Sequence, residues 1–105
     1  CDVITYEITG AQIILDSTEI FFRNSKSPIP LEQHVVHTGI TTPFIENITV
    51  CSDSGYDYCL TAYTPDTTVL LTMNIYYNGN LIDQRTQTPG QVAPGLVNIG
   101  GGILK

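Results

Sequence analysis

Val69-Leu70-Leu71-Thr72-Met73-Asn74-Ile75-Tyr76-Tyr77-Asn78-Gly79-Asn80-Leu81 is the stretch that decides the fold class. Val69, Leu71, Met73, Ile75 and Tyr77 occupy every second position, the period of a strand with one buried face. Those side chains are expected to face a core, with Thr72 and Asn74 facing outward or toward a neighbour. Asn78-Gly79 follows at once, and this dipeptide accepts the positive φ angles of a type I′ turn, whose twist matches paired antiparallel strands. Leu81 to Thr88 is therefore expected to fold back as the hairpin partner.

Working outward, the same grammar covers the chain. Val3 to Thr9 alternates, with Ile4, Tyr6 and Ile8 on one face and Thr5, Glu7 and Thr9 on the other, until Gly10. Ile13 to Arg23 is a second strand that runs into the loop-like Asn24-Ser25-Lys26-Ser27-Pro28. Leu31 to Thr38, Phe44 to Cys51 and Tyr58 to Tyr63 follow. Gln91 to Ile99 supplies a last strand, with Pro94 and Gly95 marking a bulge or edge. No stretch longer than about ten residues keeps apolar positions at helical spacing. Seven or eight short strands in one chain of 105 residues imply a single all-β domain over 1–105, a two-sheet antiparallel β-sandwich of Ig-like type.

Composition agrees. Only 13% of residues are charged, about half the usual share, and polarity rests on Thr, Asn, Gln, Ser and Tyr. A net charge of −6 repels phosphate backbones and argues against nucleic acid as a partner. No apolar run reaches the roughly 20 residues that cross a bilayer as a helix. With no initiator Met, basic n-region or apolar h-region at its start, the chain reads as a processed, exported product with both termini held. A mean hydropathy of +0.10 is high for so little charge, which suggests apolar surface covered by a partner.

Tyr6-Glu7-Ile8-Thr9-Gly10 near the start and Asn74-Ile75-Tyr76-Tyr77-Asn78-Gly79-Asn80-Leu81-Ile82 near the end together resemble the small Ig-like β-sandwich lipoproteins of Bacteroidota-type bacteria. More distantly they resemble the mycobacterial membrane-protein-small accessory domains. Those families open on a Tyr-x-Val-Thr-Gly-like strand and close on an Ile-Tyr-Val-Asp/Asn-Gly-Lys-like hairpin. Where the family carries Leu-Pro-Trp, this chain has Pro30-Leu31-Glu32 and Thr42-Pro43-Phe44 and no Trp. The resemblance implies an exported, surface-tethered sandwich that works by binding, with no catalytic residues to carry over.

Cys51 and Cys59 flank a polar turn between two expected strands, and a disulfide between them suits an oxidising compartment. Cys1 is then the odd thiol. A diacylglyceryl anchor on Cys1 is the sharper reading, which the resemblance favours; a chain boundary or an intermolecular disulfide are the plainer ones. His34 and His37, three apart on a strand, point to opposite faces and do not form a joint ligand set. Asp53, Asp57 and Asp66 are weak candidates for a cation site, against the plainer reading of solvated turns; no metal and no cofactor is expected. Asn47-Ile48-Thr49 fits the N-glycosylation rule weakly. Tyr56, Tyr58, Tyr63, Tyr76 and Tyr77 offer amphipathic rings of the kind found at interfaces, or ordinary strand-face packing.

No nucleophile, base and orienter can be assembled from these residues, so an enzyme is not expected. The expectation is an extracellular or cell-envelope interaction or structural protein. It would be tethered to the membrane through a lipid on Cys1, its partners being other envelope proteins or copies of itself. The alternative is a filament or pilus subunit in which Val3 to Gly10 or Gln12 to Leu15 completes the sheet of the next copy.

Overall fold

A computed structural model describes residues 1–24, 31–51, 55–66, 68–89 and 95–103, including their side chains except those of 24 and 31–35. Among them there is no helix. Eight strands run in chain order as β1 (Asp2–Gly10), β2 (Ile14–Asn24), β3 (Leu31–Thr41), β4 (Phe44–Val50), β5 (Tyr56–Tyr63), β6 (Leu71–Tyr77), β7 (Asn80–Gln87) and β8 (Leu96–Ile103). They form two antiparallel sheets of four, ordered β4-β1-β6-β7 and β3-β2-β5-β8. This is the expected two-sheet β-sandwich. In immunoglobulin constant domains the first two strands share a sheet, whereas here β1 and β2 lie in opposite sheets.

The core follows from the alternation. Ile4, Tyr6 and Ile8 of β1, Leu71, Met73 and Ile75 of β6, and Phe44, Ile48 and Val50 of β4 form the inner face of the first sheet. Ile20 and Phe22 of β2, Tyr56, Tyr58, Leu60 and Ala62 of β5, and Val97 and Ile99 of β8 face them from the second. Leu71, Met73 and Ile75 of β6 are fully buried, as the period requires, while Tyr77 at the strand's end and Val69 just before its start are partly buried and pack against the core.

Asn78 and Gly79 have φ values of 50° and 83°, the left-handed pair that a type I′ turn needs. The turn is also tied to the start of β1: Asn78 N donates to Val3 O at 2.8 Å, and Val3 N donates to Asn78 Oδ1 at 2.8 Å. Past the turn the β6–β7 ladder slips by one residue between Ile75 and Tyr76, so Ile82 is the extra, bulged residue of β7.

β7 and β8 edge the two sheets on one side of the sandwich. Tyr58 Oη donates to Asp83 Oδ2 at 2.8 Å, reaching from the second sheet to β7. The phenol crosses the backbone of β8 at Gly101, where a Cβ would lie 2.7 Å from Tyr58 Oη; a side chain there would displace the ring. Asn98 N donates to Gln87 Oε1 at 3.1 Å, so side chains of β7 cover part of the exposed edge of β8.

Burial is the main reason that the Tyr58 phenol is held well above its ordinary value, followed by the hydrogen bond to Asp83 and its charge. Tyr6, fully buried with its Oη 3.3 Å from Phe21 O, is raised likewise, by burial first and then by Cys59 and Tyr58. Below about pH 10, the ordinary tyrosine value, both folded and unfolded chains keep these protons and the stability is fully present. As pH rises beyond that, the unfolded chain ionises first and stability falls through the folded values. Denaturant melts are thus expected to show stability dropping from about pH 10 upward, with a shallower fall in Tyr58→Phe.

Candidate functional site

The cysteines settle differently from the sequence expectation. Cys1 is bonded to Cys51, with Cα atoms 4.3 Å apart, and Cys59 is a free thiol. The expected Cys51–Cys59 bridge is therefore corrected, for a topological reason. β4 and β5 lie in opposite sheets, so the turn between them is a crossing and not a hairpin. Cys59 alternates with the inward Tyr58 and Leu60 and points to the outer face, its Sγ 3.6 Å from Thr61 Oγ1. The antiparallel pairing of β1 with β4 sets Asp2 opposite Val50, which brings the residues just beyond that pair, Cys1 and Cys51, together. The Cys1 sulfur that would carry a lipid is thus occupied in this structure.

Around the bridge is a polar knot. The Asp2 carboxylate accepts from Asn78 Nδ2 at 3.0 Å and from Tyr56 Oη at 3.2 Å. Disulfide, Asp2 and the Asn78 turn together fasten the start of β1 to both β4 and β6.

The outer face of the first sheet carries cross-strand rows of polar side chains. Glu7, Asn74 and Gln84 stand opposite one another on β1, β6 and β7. Asn74 Nδ2 donates to Glu7 Oε1 at 2.8 Å, Gln84 Nε2 donates to Asn74 Oδ1 at 2.7 Å, and Tyr76 Oη donates to Glu7 Oε1 at 3.1 Å. Asn74, expected to face outward, does so but is only 6% exposed, because its row covers it. Thr5 Oγ1 donates to Asn47 Oδ1 at 2.6 Å, and the Thr72 and Thr86 hydroxyls meet at 3.0 Å. The alternation Thr5, Glu7, Thr9 marks this face in the sequence; the partners across it depend on register.

The remaining candidates disperse. Asp57 stands near the start of β5 and Asp66 beyond its end, with at least about 20 Å of extended chain between them, so they do not form one cation site. The Asp66 carboxyl is held below its ordinary value by hydrogen bonds from Thr68 N at 3.0 Å and Thr68 Oγ1 at 2.8 Å, the pattern of a local turn. Asp53 lies outside the described residues. Among the described residues no three His, Cys, Asp or Glu side chains gather as metal ligands. His37 meets Glu46 at 3.4 Å and lies beside the Phe44 ring, bridging β3 and β4; the side chain of His34 lies outside the described set.

Tyr56 and Tyr58 are core residues, Tyr63 is 37% exposed, and Tyr76 and Tyr77 are half-buried, so the tyrosines form no common surface. Asn47 is exposed on β4 and engaged by Thr5. An open recess of about 240 Å³ is lined by Asp16, Tyr63, Thr64, Pro65 and Gly95; among these, Asp16 is the one carboxylate, and no base–nucleophile pair converges on it. What these surfaces offer chemically is hydrogen bonding and strand edges. Comparison with known protein families finds no family that matches the chain, and comparison with curated proteins finds no relative.

Proposed function

We propose that this chain is a non-enzymatic interaction or structural module of the extracellular space or cell envelope, engaging other envelope proteins or copies of itself. The observation that carries the reading is the Cys1–Cys51 disulfide, since such bonds persist in oxidising compartments and are rare in the cytosol. The place of β1 supports a self-complemented module over a filament subunit that donates its first strand: β1 lies between β4 and β6 of its own sheet. A donated strand would leave that sheet split between its two remaining pairs. A thioether lipid on Cys1 and the Cys1–Cys51 bridge compete for one sulfur, so the module is proposed with the bridge and without that anchor.

Protease treatment of intact source cells, followed by peptide detection, tests the compartment. Peptides of this chain released from the outside before lysis are expected. Recovery only from the lysed cytosol, with all three cysteines reactive to a thiol reagent, would overturn the reading.

A further inference from the structure

We propose that β7 is a self-association edge, through which two copies pair antiparallel about a two-fold axis at Gln84 and join their first sheets into one. This stands apart from the exported-module reading, because the same edge would exist in any compartment. Among the described residues β7 pairs only with β6, and six of its eight residues are exposed, Leu81 and Ile82 by 50% and 42%.

The choice of partner rests on charge. Asp83 and Arg85 lie two apart on one row of β7, flanking Gln84. Among the described side chains Arg85 has no carboxylate partner; its guanidinium reaches Asn98 O at 3.5 Å, and Asp83 holds the Tyr58 hydroxyl. Antiparallel self-pairing centred on Gln84 sets Asp83 of each copy opposite Arg85 of the other. Opposite charges directly across a strand pair attract, and like charges repel. A lone charge, or charges of one sign, would guard an edge against its own copy; this arrangement favours it.

Two of the other edges, β4 and β8, do not offer the same match. β4 carries a single charged residue, Glu46, within the strand. Asn98 of β8 has its N–H and its carbonyl taken by side chains of β7. A two-fold strand pair closes on itself, so the product is a discrete dimer.

Sedimentation velocity of the full chain over a micromolar to millimolar range is the test. A reversible dimer is expected, weakened about tenfold or more by Arg85→Glu, which sets two carboxylates opposite each other at both pairs. The charge swap Asp83→Lys with Arg85→Glu should recover association relative to Arg85→Glu alone. In a Cys59→Ser background, Gln84→Cys should be linked into dimers by mild oxidation, since facing residues on paired strands have Cα atoms about 4.5 to 5.5 Å apart. Asn47→Cys on β4, at the far edge of the same sheet, should stay free of cross-links under the same oxidation. A monomer at every concentration would overturn the proposal and make the bulge and charges of β7 edge guards, as would a dimer indifferent to Arg85→Glu or cross-linking equally at Asn47→Cys.

Discussion

Replacing Cys1 and Cys51 together by serine is expected to lower the unfolding free energy by about 4 kcal/mol, by the chain-entropy estimate for a closed loop of this length. The bridge spans a sequence separation of 50, so it constrains almost half of the unfolded chain. In the folded state the Asp2 and Asn78 contacts still hold β1 in place, and the sandwich should form in mild conditions. Cys59→Ser should change stability by no more than about 1 kcal/mol, because that side chain is half-buried on an outer face. Denaturant melts of the oxidised protein and both variants check this. Equal stability of the double variant and the oxidised parent would mean that the bridge contributes nothing.

Ile75→Ala should destabilise the fold by roughly 2 to 5 kcal/mol, the range for emptying a fully buried aliphatic site. Ile75 is 0% exposed, pairs with Tyr6 across β1–β6, and lies among Ile4, Ile8 and Met73 in the core. Thr72→Ala, on the other face of the same strand, should cost less than about 1 kcal/mol. Asn74→Ala should fall between, roughly 1 to 3 kcal/mol, because it strips hydrogen-bond partners from Glu7 and Gln84. Chemical denaturation of the three variants gives the order directly, and equal losses at 72 and 75 would show that the strand faces had been assigned wrongly.

What was legible in the sequence is what depends on neighbours along the chain. The buried row of β6, its Asn78-Gly79 turn and the return strand follow from period and turn chemistry, and each is present as expected. The end of the last strand differs where the cue was weak: β8 runs Leu96–Ile103, past the expected limit at Ile99 and through three glycines that no propensity argument would place in a strand, while positions 91–94 of the expected Gln91 to Ile99 lie outside the described residues. What depends on sheet order was not legible. Seven residues separate Cys51 from Cys59 in sequence, and that closeness reads as a bridge; strand order separates them and brings Cys1 in instead. The same holds for Asn74, polar and outward by period yet buried by a row assembled from three strands. Tyr58 likewise reads as one more strand tyrosine until Gly101 and Asp83 are brought to it.

Peptide mapping of native, non-reduced protein, with free thiols alkylated before digestion, is the decisive test of the Cys1–Cys51 bridge. The bridge, the central place of β1 and the proposed compartment all meet at Cys1. One disulfide-linked species joining the peptides of Cys1 and Cys51 is expected, with the alkyl label on Cys59. A Cys51–Cys59 linked peptide, or a Cys1 peptide carrying a lipid thioether, would contradict it.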